Sequence, residues 1–188
     1  MAIIAILYGY NFGKIPTKKI LKKLQESNLP EEKARLLRFK NTKKDYEVIV
    51  DYAHEKYSIK EIANLAKKLS KNKTIGLVRF SHDRTNAQLK DYAKSIANMF
   101  DTIIVYNRKM QSKNKKPLKE SIERTEQVAL LVFKEIQKYA KRNITIHHIP
   151  SEQSALQEVK RIVQKGDVVV HISNKHAESI KMVKKILL

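Results

Sequence analysis

The chain has 188 residues, with 39 Lys+Arg against 19 Asp+Glu, a formal net charge of +20, and neither Cys nor Trp. That length makes one domain with room for a fragment of a second, and 42% hydrophobic residues supply a core and exclude a disordered polyelectrolyte. The lack of cysteine excludes a disulfide framework, a thiolate nucleophile and Cys-ligated zinc, and agrees with a cytoplasmic protein.

The first apolar run, residues 2–7, has no basic residue ahead of it and falls far short of the ~20 residues of a membrane span, so neither anchor nor signal is expected. Gly9 and Gly13 bracket a break, and Ile20, Leu21 and Leu24 recur at helical spacing, which predicts two short helices over 2–24. Leu36, Phe39, Val48 and Val50 flank the polar run 40–45, the pattern of a hairpin or two adjacent strands. A regular alternation follows. Strand 47–50 leads to a helix opening at Ser58, where Ser58-Ile59-Lys60-Glu61 has the form of a capping box and Ile62, Leu65, Ala66 and Leu69 make an apolar stripe. Strand 74–80 precedes a helix carrying Leu89, Tyr92, Ala93 and Ile96, and strand 102–106 precedes a long helix begun by Pro117. Strand 144–148 leads to a helix with Leu156, Val159 and Ile162 that Gly166 ends, and strand 167–172 to a last helix through Met182 and Ile186. Five strand–helix units in succession imply an α/β fold, a Rossmann-like and mostly parallel sheet of about six strands with helices on both faces.

Of the basic residues 31 are lysines and eight are arginines. Arginine reads guanine edges and phosphates bidentately, whereas lysines spread over helix surfaces form a solvated coat, so the charge alone licenses nonspecific polyanion affinity. The densest basic run, 108–116, holds no aromatic that could stack a base.

In an open α/β sheet, ligands bind beyond the carboxyl ends of the strands. The residues there are Asp51-Tyr52-Ala53-His54, Ser81-His82-Asp83-Arg84, Asn107-Arg108, Pro150-Ser151 and Ser173-Asn174-Lys175-His176. The Gly9–Ile15 segment is no P-loop: three residues separate its glycines instead of four, and Ile15 stands where a hydroxyl is needed after the lysine. His147-His148 and the His171/His176 pair lack metal-site spacing with a carboxylate, so no metal site is expected and satisfied or solvent-facing histidines are. No Ser-His-Asp order and no Gly-x-Ser-x-Gly elbow assigns a catalytic nucleophile.

Val48-Ile49-Val50-Asp51-Tyr52-Ala53-His54 resembles the V-x-V-D-Y-A-H signature that opens the C-terminal domain of the Mur ligase family, ATP-dependent ligases that include peptidoglycan-precursor amino-acid ligases and cyanophycin synthetase. Residues 2–24 are similar to the last helices of that family's central ATPase domain, and Ala34-Arg35-Leu36 falls where the family has a Gly-Arg pair. Asp83-Arg84 matches its G-D-R, and Gly166-Asp167-Val168-Val169-Val170 with Lys175-His176 resembles its G-D-V-V-L…K-G-H ending. The departures are Lys56 for a proline, His82 and Ala34 for glycines, and Tyr106-Asn107-Arg108-Lys109 for D-N-P-R. The short Asp-Arg loop stands nearer to cyanophycin synthetase.

The resemblance implies a division into residues 1–28, a helical remnant of the central domain, and 29–188, the C-terminal-like domain. It implies a reaction in which ATP phosphorylates a carboxylate and the amine of an amino acid attacks the acyl phosphate. ATP and magnesium would serve the complete enzyme, held by the central ATPase domain as partner; this chain alone, without a P-loop, would bind neither tightly and would not be catalytic. By position, Arg35, Asp51 and His54 would touch the nucleotide, with Asp51 accepting from ribose hydroxyls. Asp83, Arg84, Asn107 and Arg108 would hold the amino-acid substrate, bordered by Lys175 and His176. No membrane partner is implied, and where no central domain covers the apolar residues 2–24 the two outcomes are self-association through them, as in a homodimer, or fraying of the segment. The alternative is a basic α/β module, derived from such a ligase, that binds RNA or another polyanion.

Overall fold

Runs such as TIIVY and VVVHI carry β-branched or aromatic residues at nearly every position rather than every second one, the pattern of strands covered on both faces. The computed structural model describes residues 36–107, 119–173 and 176–188, within a unit that spans Ala34–Leu188, and every residue of both runs is buried in it. In chain order the elements are β1 (Leu37–Asn41), β2 (Tyr46–Asp51), α1 (Lys56–Leu69), β3 (Thr74–Val78), α2 (Asn86–Ile96), β4 (Thr102–Tyr106), α3 (Lys119–Tyr139), β5 (Thr145–Ile149), α4 (Glu152–Ile162), β6 (Val168–Ile172) and α5 (His176–Leu187). The strands form one sheet in the order β1-β2-β6-β3-β4-β5. Only β1 runs antiparallel, paired on β2 from Leu37↔Val50 to Asn41↔Tyr46; the other four pairs are parallel. The sequence-derived α/β class, the hairpin and the five strand–helix units are all present. Among the described residues no helix is long and apolar enough to cross a membrane.

Alternate residues of each strand feed two cores. On one face α1, α2 and α3 bring Ile59, Ala66, Leu89, Ile96, Val132 and Ile136 onto Ile49, Ile103 and Val105. On the other, α4 and α5 bring Leu156, Val159, Val183 and Leu187 onto Val48, Leu77, Ile104 and Val169. The carbonyl of Leu187 accepts from Asn41 Nδ2 at 2.8 Å and from the Tyr46 hydroxyl, which ties the end of α5 to the β1–β2 hairpin.

Two local expectations are corrected. α1 opens at Lys56 rather than Ser58, because the Glu55 carbonyl already accepts from Ile59 N at 3.0 Å; Ser58 lies inside the first turn and caps nothing. The capping box sits instead on α2, where the Thr85 hydroxyl accepts from Gln88 N and the Gln88 side chain accepts from Thr85 N. Nor does Gly166 end α4, which stops at Ile162 with Val163 as its C-cap. Gly166, at φ +83°, forms the turn into β6, donating to the Asp45 carbonyl at 2.8 Å and accepting from Lys71 N at 2.9 Å. The helices expected over 2–24, the break at 28/29 and the Pro117 helix start lie outside the described residues.

Gly76, in the middle of β3, touches Phe100 so closely that a Cβ there would stand 2.5 Å from Cδ2 of a ring that is 2% exposed and enclosed on all sides. Gly76→Ala is expected to lower the unfolding free energy by about 1–3 kcal/mol, and Phe100→Leu in the same chain to recover part of that loss. Denaturant titration of both single variants and the double variant checks this; strictly additive losses would show that the two residues do not share the space.

Candidate functional site

The helices that follow β2 and β3 cover one face of the sheet, whereas the helix that follows β6, lying between those two strands, covers the other. Chains leaving neighbouring strands in opposite directions open a crevice at the carboxyl edge. A cavity of about 410 Å³ lies there, lined by Tyr52, His54, Arg79, Ser81, Asp83 and Arg84, with Ile59 and Phe80 as part of its apolar wall. The first turns of α1 and α2 begin beside it, and helix N-termini favour negative charge.

Its walls are joined by one polar knot. Arg84 Nη2 donates to Glu55 Oε1 at 2.9 Å and to the His54 carbonyl at 3.0 Å, while its guanidinium lies 4.6 Å from the centroid of the Tyr92 ring. The Tyr92 hydroxyl shares its proton between Glu55 Oε2 at 2.6 Å and the same His54 carbonyl at 2.7 Å. Hydrogen bonds from Tyr92 and then Arg84 hold the Glu55 carboxyl below the usual range. Burial, followed by the bond to Glu55, pushes the Tyr92 phenol up to about 12. From outside, Arg124 Nη2 donates to the Arg84 carbonyl at 3.2 Å and to Asn86 Oδ1 at 3.0 Å.

Of the residues singled out in the sequence, the cavity brings together His54, Asp83 and Arg84. Asp51, 7% exposed, is not on its wall: Oδ2 accepts from Leu36 N at 2.6 Å and so pins the residue that enters β1 at φ +53°. Asn107, at the end of β4, has Oδ1 3.0 Å from Nε2 of His148, a histidine that burial holds below its ordinary pKa, and it too is off the wall. Arg35, Arg108 and Lys175 lie outside the described residues; His176 opens α5, and its side chain is not described. Two departures from the family pattern are conformationally mild. Lys56 occupies the first position of α1, where proline is merely favoured, and pairs with Asp91 at 3.1 Å; His82 has no positive φ.

Sequence reasoning missed Glu55, Tyr92 and Arg79. Tyr92 fits the apolar stripe of α2 and reads as core, and Glu55 reads as an ordinary surface acid; their contact depends on where two loops meet. Arg79 left a signal, a charge inside the apolar run 74–80. Behind the cavity, on the α4/α5 face, His171 is fully buried with Nε2 3.1 Å from Glu152 Oε1 and 3.2 Å from the Tyr106 hydroxyl. Ser173 and Ser179 also donate to Glu152. Burial pushes the Glu152 carboxyl up, but hydrogen bonds from His171 and Ser179 with the nearby charge of Arg79 leave it below the usual range. Of the satisfied histidines expected, His171 is so at one nitrogen only: its buried Nδ1 has no hydrogen-bond partner among the described residues.

A six-stranded, mostly parallel sheet with a crevice at the switch of strand order, walled by the two loops that carry D-Y-A-H and D-R, defines a Rossmann-like α/β domain. The family model "Mur ligase, glutamate ligase domain" matches residues 35–174, so the chain belongs to the Mur ligase family. Among solved structures, a UDP-N-acetylmuramoyl-L-alanyl-D-glutamate–2,6-diaminopimelate ligase is similar over 98% of this chain and 37% of its own, at 15% identity and TM-score 0.61. A type C pseudomurein peptide ligase from Methanothermus fervidus is similar over 98% and 35%, at 17% identity and TM-score 0.59. The UDP-N-acetylmuramate–alanine ligase from Thermotoga maritima is similar over 98% and 36%, at 14% identity and TM-score 0.58. At these identities the likeness is one of fold, and the chain spans little more than a third of the length of these ligases. No curated protein matches it.

Because the raised Tyr92 pKa belongs to the folded state, the protonated phenol contributes stability that is complete below its unfolded value near pH 10 and is lost as pH rises toward 12. Tyr92→Phe is expected to cost about 1–3 kcal/mol near neutrality, and its difference from the parent chain to shrink between pH 10 and 12. Urea midpoints of both proteins across that range check this. Curves that stay parallel would mean that the knot does not titrate.

Proposed function

We propose that the chain is the C-terminal domain of a cytoplasmic, ATP-dependent amide-forming ligase, and that the cavity between the β2 and β3 loops receives the nucleotide's base and presents the incoming amino acid. The observation that carries this reading is the coincidence of the cavity with the two loops of the family signature. Residues 1–28 belong, in this reading, to the end of the central ATPase domain, whose surface covers the apolar segment 2–24.

The side chains suit these ligands. Tyr52 and His54 are exposed, with ring centroids 5.0 Å apart, and offer aromatic faces to a purine. Arg79 and Asp83 both line the cavity, and their guanidinium and carboxylate are complementary in charge to the carboxylate and amine of an α-amino acid. Arg84, already engaged with Glu55, is a positioning residue more than a substrate ligand. Asp51 is buried and off the cavity wall, so its first role is to hold the entry of β1, with acceptor sites left over for a ribose that reached it. Arg35 at the nucleotide, and Arg108, Lys175 and His176 around the amino acid, keep the roles that the resemblance implies, whereas Asn107, off the cavity wall and bonded to His148, is left out of the pocket. Among the described residues no three His, Asp or Glu side chains converge to hold a metal, so no step through magnesium is assigned to them.

Transfer of a γ-phosphoryl group demands a phosphate cradle, and this sequence carries no P-loop. The chain by itself is therefore expected to bind ATP and its amino acid weakly and to turn over neither. Calorimetric titration with ATP and with each proteinogenic amino acid tests the assignment. His54→Ala should weaken ATP more than the amino acid, and Arg79→Ala and Asp83→Asn the reverse. Each loss is expected to be about tenfold to a hundredfold, the value of one charge-assisted hydrogen bond or one base stacked on an aromatic ring. Equal losses for both ligands would refute the division of the cavity, and turnover by the chain alone would refute the domain assignment.

A further inference from the structure

The end of the sheet opposite the cavity is built from the β1–β2 turn and the loops that enter β6, β3, β4 and β5. These connections are stitched to one another in strand order. Gly166 N donates to the Asp45 carbonyl, and Lys71 N donates to that of Gly166. Asp167 accepts from Asn72 Nδ2 at 2.8 Å and from Lys73 N at 3.0 Å. Asp101 accepts from Thr74 N at 2.8 Å, and its own carbonyl accepts from Thr145 N at 3.1 Å; Asn98 Oδ1 accepts from Lys141 N at 3.0 Å. The result is a fixed ridge.

Along that ridge stand Lys43 and Lys44, then Lys165, then Lys71 and Lys73, then Lys141 and Arg142, all exposed and none of them ion-paired among the described residues. The carboxylates at this end are already engaged. Asp101 and Asp167 cap backbone N–H groups, Asp45 faces Lys40 at 3.5 Å, Glu47 pairs with Arg38, Glu135 with Lys138 and Glu158 with Arg161. Basic residues in the last turns of helices, such as Lys67, Lys68, Lys160, Lys184 and Lys185, offset the helix dipoles. The seven on the connections lie past the helix ends, so that reason does not account for them. From the β2 end to the β5 end the row measures about 19 Å, four interstrand spacings.

We infer that this pole is a docking surface for the phosphate backbone of double-stranded nucleic acid, bound without sequence preference. A rigid row of point charges matches a line of charge better than it matches a soft or planar one. Along about 19 Å a duplex presents roughly eleven phosphate charges. Lysine ammonium groups bind phosphates as point charges and carry no base information. The surface lies at the opposite end of the strands from the cavity and is independent of the ligase reading.

The test uses the full chain and 20-base-pair RNA and DNA duplexes of arbitrary sequence, followed by fluorescence anisotropy at several salt concentrations. The triple variant Lys71→Glu/Lys141→Glu/Lys165→Glu removes three ridge charges. Lys60→Glu/Lys90→Glu/Lys181→Glu makes the same change of net charge at exposed helix positions away from the ridge. Thermal unfolding confirms that both variants fold. The ridge variant should bind at least tenfold more weakly, with the slope of log K against log salt reduced by about 3, one unit per lost phosphate contact; the control should change far less. Equal losses in the two variants would reduce the effect to net charge and overturn the proposal. So would an absence of duplex binding by the parent chain, or ridge-dependent binding confined to vesicles containing phosphatidylserine.

Discussion

One carboxylate joins the two loops on which the site depends. Glu55 follows β2 and Arg84 follows β3, and the bond between them spans 29 residues of sequence and the width of the β6 strand that separates their parent strands. As an isolated pair it would contribute little, since half of the Glu55 side chain is in solvent and exposed ion pairs are worth about 0–1 kcal/mol. Its value is positional. The Tyr92 hydroxyl fixes the second carboxylate oxygen, the Tyr92 ring lies beneath the guanidinium, and the His54 carbonyl accepts from both donors, so the backbone of the signature loop is held from two sides. Without that restraint, His54 and Asp83 would sit on independent loops.

The layers of the molecule were legible in the sequence because hydrophobic period and strand length are local properties. VIVD, TIGLV, TIIVY and VVVHI read as strands, and the helix stripes between them place residues such as Leu89, Ile96 and Leu156 in the core, where they lie. Cap chemistry was less legible. Ser58-Ile59-Lys60-Glu61 satisfies the capping-box pattern, yet the chain leaving β2 turns into helix two residues sooner; Thr85 and Gln88 meet the same pattern with the geometry to match. The strand order, with β6 inserted between β2 and β3, cannot be read from periodicity. It alone decides that the residues after β2 and β3 share a crevice while Asn107 stands off it.

The same topology sorts the charge. At the carboxyl ends of the strands the described ionisable groups are mixed in sign and bonded to one another: Glu55 with Arg84, Lys56 with Asp91, Glu152 with His171. At the opposite end the acids are consumed by backbone N–H groups and single partners, and the bases of the connections are left in solvent. A net charge of +20 is thus more than a uniform coat. Its fixed portion follows from turns that need Asp at their caps and leave lysine at their tips, and that arrangement separates a pole of solvent-exposed lysines from a crevice edge where charges of both signs are paired.

Where ligands touch the chain decides most directly between the crevice and the rest of the surface. Backbone amide shifts of the ¹⁵N-labelled chain, followed during titration with ADP and then with the amino acid that binds, report this residue by residue. Shifts concentrated in residues 52–56 and 79–88, with the rest of the sheet undisturbed, are the predicted result. Saturable shifts centred instead on the Glu152–His171 cluster or on the lysine ridge, with the signature loops silent, would contradict it.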